Sequence, residues 1–395
     1  MKWASASSDS VDFATATSEV LEQLRSELGR REPDLLVVFV SAHHAENYEQ
    51  IPRVFRRVYP KSTLVGCTGG GIIGGGRELE HQPALSVTAA MLPGVELYPS
   101  LLDSRTMATV AASPYFIRNA IDLPEDSQPD FLLLPDPYSI DTERLLVALD
   151  TVWPKSTSLG GLASGGHEPG DHALFLDDQV HREGCVVLAM SGNIRIDTIV
   201  AQGCRPVGEP MRVTNCRGNF VVELDDRKPA EVLRGVYESA SAVDRHLIQT
   251  SLFLGVALDE EAPGTGEKDF LIRNVLGVDP EAGVLAVGTL LTKHQRVQFH
   301  VRDQKTSRHD LGSLLAARSR QDADGEGPCG ALLFSCLGRG ARLYGEPGHD
   351  SRLFTEHLGP IPLGGFFCNG EIGPVQGRAF VHGYTSVFGL FRPRD

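Results

Sequence analysis

Hydrophobic positions along this chain form short continuous runs, separated by polar stretches and glycine-rich turns. Residues 35–40 are apolar throughout and follow Pro33-Asp34, which is typical of a strand covered on both faces. Before this run, residues 9–28 carry apolar side chains at spacings of three and four, which predicts an amphipathic helix that Ser8 or Asp9 can cap. The two patterns together predict an α/β protein with mixed α+β sheets.

The pattern continues with a second helix and two more strands. Residues 45–58 predict the helix, which Pro60 ends, and residues 62–68 predict a strand that runs into a glycine loop at 69–76. Residues 85–91 predict a further strand. A strand, helix, strand, glycine-loop, strand order is therefore expected in the first hundred residues.

The same order recurs in the second hundred residues. The sequence Pro-Lys-Ser-Thr at 60–63 returns at 154–157, an offset of 154 − 60 = 94 residues. We therefore expect a first domain, residues 1–207, that contains a duplicated unit with copies at about 30–115 and 126–205. At 395 residues the chain is too long for one ordinary core, so we place a second domain at 208–395.

The second domain is predicted to be rich in strands. Its glycine- and proline-containing stretch 260–268 predicts a loop, and the polar stretch 319–328 predicts a mobile loop. Residues 310–317 predict a helix. The remaining apolar runs predict strands at 212–214, 220–224, 252–258, 270–275, 284–291, 297–301 and 330–340. The last of these strands brings Ser335, Cys336 and Arg339 to its end.

Composition and charge restrict the partners. The net charge is −14, and the basic residues are scattered, which argues against nucleic acid or an anionic membrane surface as a partner. Apolar stretches stay below the roughly 18 residues of a membrane span, and the N-terminus does not resemble a cleavable leader. We expect a cytoplasmic protein without membrane insertion.

The spacing of the cysteines, histidines and glycines does not indicate a metal or cofactor site. The seven cysteines are dispersed and never spaced as Cys-x-x-Cys, which predicts neither a disulfide framework nor a zinc site. The histidines at 43, 44, 294 and 300 lack acids or cysteines at ligand spacing. The loop 69–76 lacks the phosphate-binding pattern of Gly-x-x-x-x-Gly-Lys-Ser/Thr. We expect no metal and no cofactor.

Four short motifs resemble a known family. The N-terminal motif Val65-Gly66-Cys67-Thr68 before a glycine-rich turn resembles the FIST N domain. Three later motifs resemble the FIST C domain: Val213-Thr214, Phe334-Ser335-Cys336-x-x-Arg339 and Gly365-Phe366-Phe367-x-x-Gly370-Glu371-Ile372-Gly373. The resemblance covers nearly the whole chain. It implies a sensory domain of intracellular signal transduction that binds a small ligand such as an amino acid.

The resemblance and the residue types together predict a ligand site. Arg339 is expected to bind a carboxylate group of the ligand, and Glu371 is expected to bind its amino group. Phe366 or Phe367 is expected to form an apolar wall of the site. In the alternative, Arg339 and Glu371 bind each other. The predicted ligand-binding residues are Cys67, Thr68, Gly69, Gly70, Cys336, Arg339, Phe366, Phe367, Asn369, Gly370 and Glu371.

Two other functions stay open. Cys336 is a candidate nucleophile of a cysteine-dependent hydrolase or transferase, with His382 as base and Glu371 as orienting group. FIST domains also accompany F-box segments, which implies a substrate-recruiting adaptor as a second alternative. Because the two FIST halves take up both ends of the chain, we expect the signal to pass to a separate protein.

Overall fold

The computed structural model describes residues 1–258, 270–323 and 325–394, and its chain forms two compact units. The first, called the core unit, consists of residues 1–200, 312–381 and 385–395. The second, called the inserted unit, consists of residues 201–311 and 382–384. The mixed α+β class is confirmed.

The core unit contains three copies of one arrangement of strands and helices. In the first copy, four strands build the sheet and a hairpin leaves it. Its elements are β1 (Lys2–Ser8), α1 (Phe13–Leu28), β2 (Leu35–Ser41), a 3-10 helix (Ala42–Gln50), α2 (Ile51–Val58), β3 (Thr63–Gly69), β4 (Gly71–Gly74), β5 (Arg77–Glu80) and β6 (Leu85–Met91).

The second copy follows directly. Its elements are β7 (Val95–Leu102), α3 (Ser104–Ala112), a 3-10 turn (Pro114–Phe116), α4 (Ile117–Ala120), β8 (Asp130–Pro135), α5 (Thr142–Val152), β9 (Ser158–Gly161), β10 (Leu174–Leu176), β11 (Gln179–His181) and β12 (Cys185–Gly192).

The third copy is interrupted by the inserted unit. It begins with β13 (Arg195–Ala201) and resumes near the end of the insertion. Its later elements are α8 (Gln304–Asp322), β21 (Gly330–Cys336), α9 (Gly340–Tyr344), α10 (His349–Leu358), β22 (Leu363–Cys368), β23 (Glu371–Val375), β24 (Arg378–His382) and β25 (Ser386–Arg392).

The three sheets of the core unit have the same topology. In each, a central strand (β2, β8 or β21), here called the first strand, pairs in parallel with the next one (β3, β9 or β22), called the second strand. The first strand also pairs antiparallel with the last strand of its copy (β6, β12 or β25). The strand orders are β1-β6-β2-β3-β10-β11, β7-β12-β8-β9-β23-β24 and β13-β25-β21-β22-β4-β5. The topology is therefore threefold. The duplication within the first 207 residues stays a prediction at the sequence level. The third copy, which consists of β13 and the elements from α8 to β25, was not predicted.

Each copy donates its hairpin to the sheet of another copy. The hairpin β4–β5 extends the third sheet beside β22, β10–β11 extends the first sheet beside β3, and β23–β24 extends the second sheet beside β9. The exchange is cyclic, so no copy completes its own sheet. This arrangement joins the two ends of the chain in one unit.

The inner faces of the three sheets share one hydrophobic core. Phe39 of β2 packs on Phe366 of β22 with ring centroids 4.8 Å apart, and Leu132 and Leu159 of the second copy belong to the same cluster. Helices cover the outer faces. Because β2 contacts apolar side chains on both sides, its uninterrupted hydrophobic run is explained.

The inserted unit has a sheet and a core of its own. The sheet order is β14-β20-β15-β16-β19-β18-β17, and an additional pairing of β17 with β20 closes six strands into a ring. Its core includes Val213, Leu254 and Phe299. The elements are β14 (Cys204–Pro206), β15 (Met211–Arg217), β16 (Phe220–Leu224), α6 (Pro229–Ser239), α7 (Ala242–Thr250), β17 (Leu252–Ala257), β18 (Phe270–Val278), β19 (Leu285–Val287) and β20 (Arg296–Arg302).

Several predicted boundaries were wrong. Helix α1 begins at Phe13, because the Asp12 side chain accepts the Thr15 amide and caps it. The stretch 42–50 is a 3-10 helix, and α8 continues through Asp322 into the predicted mobile loop 319–328. The predicted loop 260–268 and residue 324 lie outside the described residues.

The predicted division at 207/208 remains a prediction about sequence domains. The compact units divide the chain differently, because β21 to β25 complete the sheets that the first 200 residues begin.

Candidate functional site

The carboxyl ends of the three second strands meet inside the core unit. The Gly70 amide donates to Ser164 Oγ at 2.8 Å and to the Phe367 carbonyl at 3.3 Å. The Asn369 side-chain amide donates to the Ala163 carbonyl at 3.0 Å. Since sheets of this kind place ligands at the carboxyl ends of their strands, we name residues 67–70, 161–166, 336–339 and 366–371 the strand-end site.

Three equivalent glycines allow the first and second strands to approach closely at this edge. A Cβ atom on Gly66, Gly160 or Gly365 would lie 2.0, 1.9 or 1.9 Å from the carbonyl oxygen of the neighbouring strand. No side chain fits at that distance. These glycines also define the structural correspondence among the copies, since each faces the middle of its first strand.

Glu371 is the first residue of β23 and is fully buried. Its Oε2 accepts the Thr385 amide at 3.0 Å, and its Oε1 accepts the Cys368 thiol at 3.5 Å. Among the described residues, Glu371 takes part in no ion pair within 4.0 Å. Burial raises the pKa of the Glu371 carboxyl group to about 8. The side chain is therefore mostly neutral at pH 7.

The other two copies carry apolar residues where the third carries Glu371. In the donated hairpins, Ile72 pairs with the residue after Gly365, and Leu174 pairs with the residue after Gly66. Glu371 pairs with the residue after Gly160. Both Ile72 and Leu174 are fully buried. The fold therefore accommodates an apolar side chain at this position, and the carboxyl group is not needed to form the sheet.

Arg339 is fully buried and binds Asp350. Its Nε donates to Asp350 Oδ2 at 3.0 Å, and an Nη donates to Asp350 Oδ1 at 3.3 Å and to Tyr344 Oη at 2.6 Å. Arg339 therefore pairs with Asp350 and not with Glu371, the partner that the alternative interpretation gave it. While the Nε and Nη groups of Arg339 donate to Asp350, they are not available to bind a ligand carboxylate.

Asp350 is the centre of this buried network. It also accepts hydrogen bonds from His349 Nδ1 at 2.9 Å and from Ser386 Oγ at 2.5 Å. Burial alone would raise the pKa of Asp350, but the charge of Arg339 and these hydrogen bonds outweigh it and hold that pKa well below its usual range. Asp350 is therefore ionised, which makes the network an internally neutralised support for the segment 336–339.

Two acids of the donated strand β5 hold the helices of the third copy. Glu80 Oε1 accepts the Ala341 amide at 2.9 Å, and Glu78 Oε1 accepts the Ser351 amide at 2.6 Å. Both amides lie in the first turns of α9 and α10, where carboxylates are favourable. Burial and the nearby Asp350 raise the pKa of Glu78 to about 7. Sequence reasoning missed these contacts because their partners lie more than 250 residues apart.

The predicted cysteines fall into two environments. Cys67 is fully buried in the inner core, and burial raises its pKa well above the ordinary value. Cys336 ends β21, is partly exposed, and accepts the Gly338 amide on Sγ at 3.4 Å. His382 is buried at the end of β24 and groups with the inserted unit. The predicted Cys336–His382 pair stays a prediction.

The aromatic residues of the motif are part of the core. Phe366 lies between Phe39 and Phe334, with ring centroids 4.8 and 5.8 Å away, and is fully buried. Phe367 is almost fully buried and faces the opposite side of β22. Their roles as an apolar ligand wall remain predictions, and their packing alone accounts for their size.

A second polar pair lies at the end of β8. His172 Nδ1 and Asp136 Oδ1 are 2.9 Å apart, both side chains are buried, and Ser139 Oγ donates to Asp136 at 2.6 Å. His172 Nε2 makes no hydrogen bond to the described residues. Sequence reasoning missed this pair. The sequence signal that could have found it is the position of Asp136 directly after β8. This position corresponds to that of Cys336 at the end of β21, the equivalent strand of the third copy.

Two kinds of feature are absent from the described residues. None of the helices combines the length and apolar composition needed to cross a membrane. Likewise, the described part of the chain gathers no three His, Cys, Asp or Glu side chains in a geometry that could hold a metal ion.

Comparison with known proteins identifies the family. Residues 34–227 match the FIST N domain and residues 229–374 match the FIST C domain, so the chain belongs to the FIST family. FIST domains are generally sensory domains of signal transduction. The order of the two halves agrees with the resemblance of the sequence motifs.

The relatives extend along the whole chain. An uncharacterized protein of Mycobacterium tuberculosis is 37% identical over 381 residues, covering 96% of this chain and 97% of its own. One from Mycobacterium bovis is 36% identical over 96% of both. An F-box/LRR-repeat protein of Arabidopsis thaliana is 23% identical over 98% of this chain and 85% of its own.

Among solved structures, a cyanuric acid hydrolase from A. caulinodans covers 100% of this chain and 99% of its own, at 7% identity and a TM-score of 0.38. A similarity of this size carries no argument about function.

Proposed function

We propose that this protein is a sensory module that binds a small amine-bearing ligand, such as an amino acid, at the strand-end site and signals through a separate protein. The observation that supports the proposal is Glu371, a fully buried carboxyl group that forms no ion pair with the described residues. Buried acids with raised pKa values at strand ends are typical of binding sites.

Stability does not account for Glu371. An ionised carboxylate without a partner is costly to bury, and Ile72 and Leu174 fill the equivalent positions in the other copies. The protein meets this cost by keeping Glu371 protonated, with a pKa of about 8. The ammonium group of a ligand would provide the missing positive charge and displace that proton.

The surroundings of Glu371 suit a small ligand. Gly70 and Gly165 are partly exposed, and Asn369 is exposed at the same edge. Arg339 has a positioning role in this proposal, because its bonds to Asp350 and Tyr344 fix the segment 336–339 within the strand-end site. The ligand carboxylate would then bind backbone and amide groups of the strand-end site.

The test is a thermal-shift screen of amino acids, each matched with the carboxylic acid that lacks the amino group. A ligand at 100 times its Kd should stabilise the protein by about 2.7 kcal/mol. Glu371→Gln should fold and lose this effect, whereas Glu356→Gln, an exposed acid on α10, should keep it. Equal binding by Glu371→Gln, or preference for the acids without amines, would refute the amine role.

The cysteine-enzyme alternative gives a different outcome. A sensory protein should return its ligand chemically unchanged after long incubation. A converted product, lost in Cys336→Ala, would overturn the sensory proposal in favour of a hydrolase or transferase.

A further inference from the structure

We propose that Cys336 and Cys368 form a reversible dithiol–disulfide couple that reacts with low-molecular-weight disulfides. The two cysteines lie within the strand-end site, but the couple does not require the proposed ligand to be bound. It adds a redox input to the third copy of the core unit. The inference rests on the pairing of the two residues, on their different exposure, and on the groups that contact their sulfur atoms.

The strand register places the two cysteines side by side. In the parallel pair β21–β22, Phe334 is opposite Phe366 and Cys336 is opposite Cys368. The two phenylalanine rings both lie in the inner core, 5.8 Å apart. Because side chains alternate along a strand, the cysteines two positions further on share that inner face.

The separation suits a disulfide. Neighbouring strands lie about 4.8 Å apart, and the Cα atoms of a disulfide are usually about 4.4 to 6.8 Å apart. Both residues carry thiols in the structure. Other strand cysteines have different neighbours: Cys67 is opposite Phe39 and Leu174, and Cys185 is opposite Pro135 and Leu102.

Exposure and hydrogen bonding assign a role to each sulfur. Cys336 is partly exposed, and the Gly338 amide donates to its Sγ, which stabilises a thiolate. Cys368 is fully buried, and its single thiol hydrogen is shared between Glu371 Oε1 at 3.5 Å and the Ser335 carbonyl at 3.4 Å. Cys336 is therefore the attacking cysteine and Cys368 the resolving one.

The reaction is a two-step exchange. The Cys336 thiolate attacks one sulfur of the external disulfide, whose S–S bond breaks and releases one thiolate. Cys368 then attacks Cys336 Sγ and gives up its proton, while the bond between Cys336 Sγ and the external sulfur breaks and releases the second thiolate. The two released thiolates take up the two protons lost by the protein. The cysteine pair is oxidised by two electrons, and the external disulfide is reduced to two thiols.

The experiment treats the reduced full-length protein with oxidised glutathione at increasing ratios to reduced glutathione. Intact mass and peptide mapping follow the products. The parent protein should become lighter by two hydrogen atoms, with a peptide crosslink between Cys336 and Cys368 that reduced glutathione reverses. Cys329→Ser is the matched control, because Cys329 is also partly exposed, and it should behave as the parent does.

The single variants separate the two roles. Cys368→Ser should retain one glutathione on Cys336, and Cys336→Ser should form neither product. A parent protein that keeps a glutathione on Cys336 without forming the crosslink would overturn the proposal. So would a crosslink that uses other cysteines. The parent mapping decides the matter even if a variant fails to fold.

Discussion

Two buried acids of the third copy, Asp350 and Glu371, differ in their protonation state. Asp350 is ionised, because Arg339, His349 and Ser386 all donate hydrogen bonds to it and Arg339 is positively charged. Glu371 receives one amide and one thiol and remains mostly neutral. Removing one partner of a buried ion pair is usually strongly destabilising, so the first acid stabilises the fold. The second can change its protonation state without breaking an ion pair.

Glu371 should make stability depend on pH. Its pKa is 4.5 when unperturbed and about 8 in the fold, so between these values the folded state binds one more proton than the unfolded state. Stability therefore falls as the pH rises from about 5 to about 8. Glu371→Gln cannot ionise and should lack this component, which is on the order of a few kcal/mol.

Urea unfolding at several pH values checks this prediction. The difference in unfolding free energy between Glu371→Gln and the parent should grow in favour of the variant across that range. Glu356→Gln should follow the parent, since Glu356 is exposed. Parallel curves for the parent and Glu371→Gln would show that Glu371 titrates normally.

At the scale of elements, the glycine contacts between strands determine how the core unit assembles. Gly365 has a φ of 144°, in a region that glycine adopts readily. Its Cα lies so close to the Leu333 carbonyl oxygen that no Cβ atom fits between them. The same contact recurs at Gly66 and Gly160. Close approach at the second strand is therefore a common feature of all three sheets.

Gly365→Ala should destabilise the protein severely. The added Cβ would lie 1.9 Å from the Leu333 carbonyl oxygen, so β21 and β22 would have to separate. We expect a loss of at least about 3 kcal/mol, or insoluble protein. Gly312→Ala, in helix α8, is the control. Its added Cβ would contact Leu353 Cδ2 of α10 at an ordinary 3.8 Å, so this substitution should be neutral or stabilising.

Thermal unfolding compares the two glycine variants. Equal melting temperatures for Gly365→Ala and Gly312→Ala would show that the strands adjust to the added atom without cost.

At the scale of the whole molecule, the exchange of hairpins makes the core unit discontinuous in sequence. Residues 1–207 contain β4 and β9, whose neighbours β22 and β23 come from the end of the chain. The inserted unit contains a continuous segment with its own ring of strands and its own core. The two parts should therefore differ in their ability to fold alone.

Fragments test this difference. We expect residues 201–311 to be monomeric and to unfold cooperatively. A fragment of residues 1–207 should aggregate or lack cooperative unfolding, because exposed strand edges and open inner faces remain. Circular dichroism and gel filtration distinguish these outcomes. A monomeric, cooperatively folding 1–207 fragment would support the division that the sequence predicted.

The sequence by itself determined the local elements and the family. The apolar run of β2, the amphipathic pattern of α1 and the strand before Cys336 are all visible in the chain, because side-chain periodicity reports which face a nearby segment buries. The motifs at 65–68 and 365–373 likewise indicated FIST N and FIST C domains in the correct order.

Only the tertiary structure decided which distant residues meet. Glu78 and the Ser351 amide are 273 positions apart, and Gly70 and Ser164 are 94 apart. Strand periodicity says which side of a strand is buried, but it does not say which strand lies beside it. The destinations of the hairpins and the pairing of Cys336 with Cys368 depend on that long-range register, so they emerged only from the folded chain.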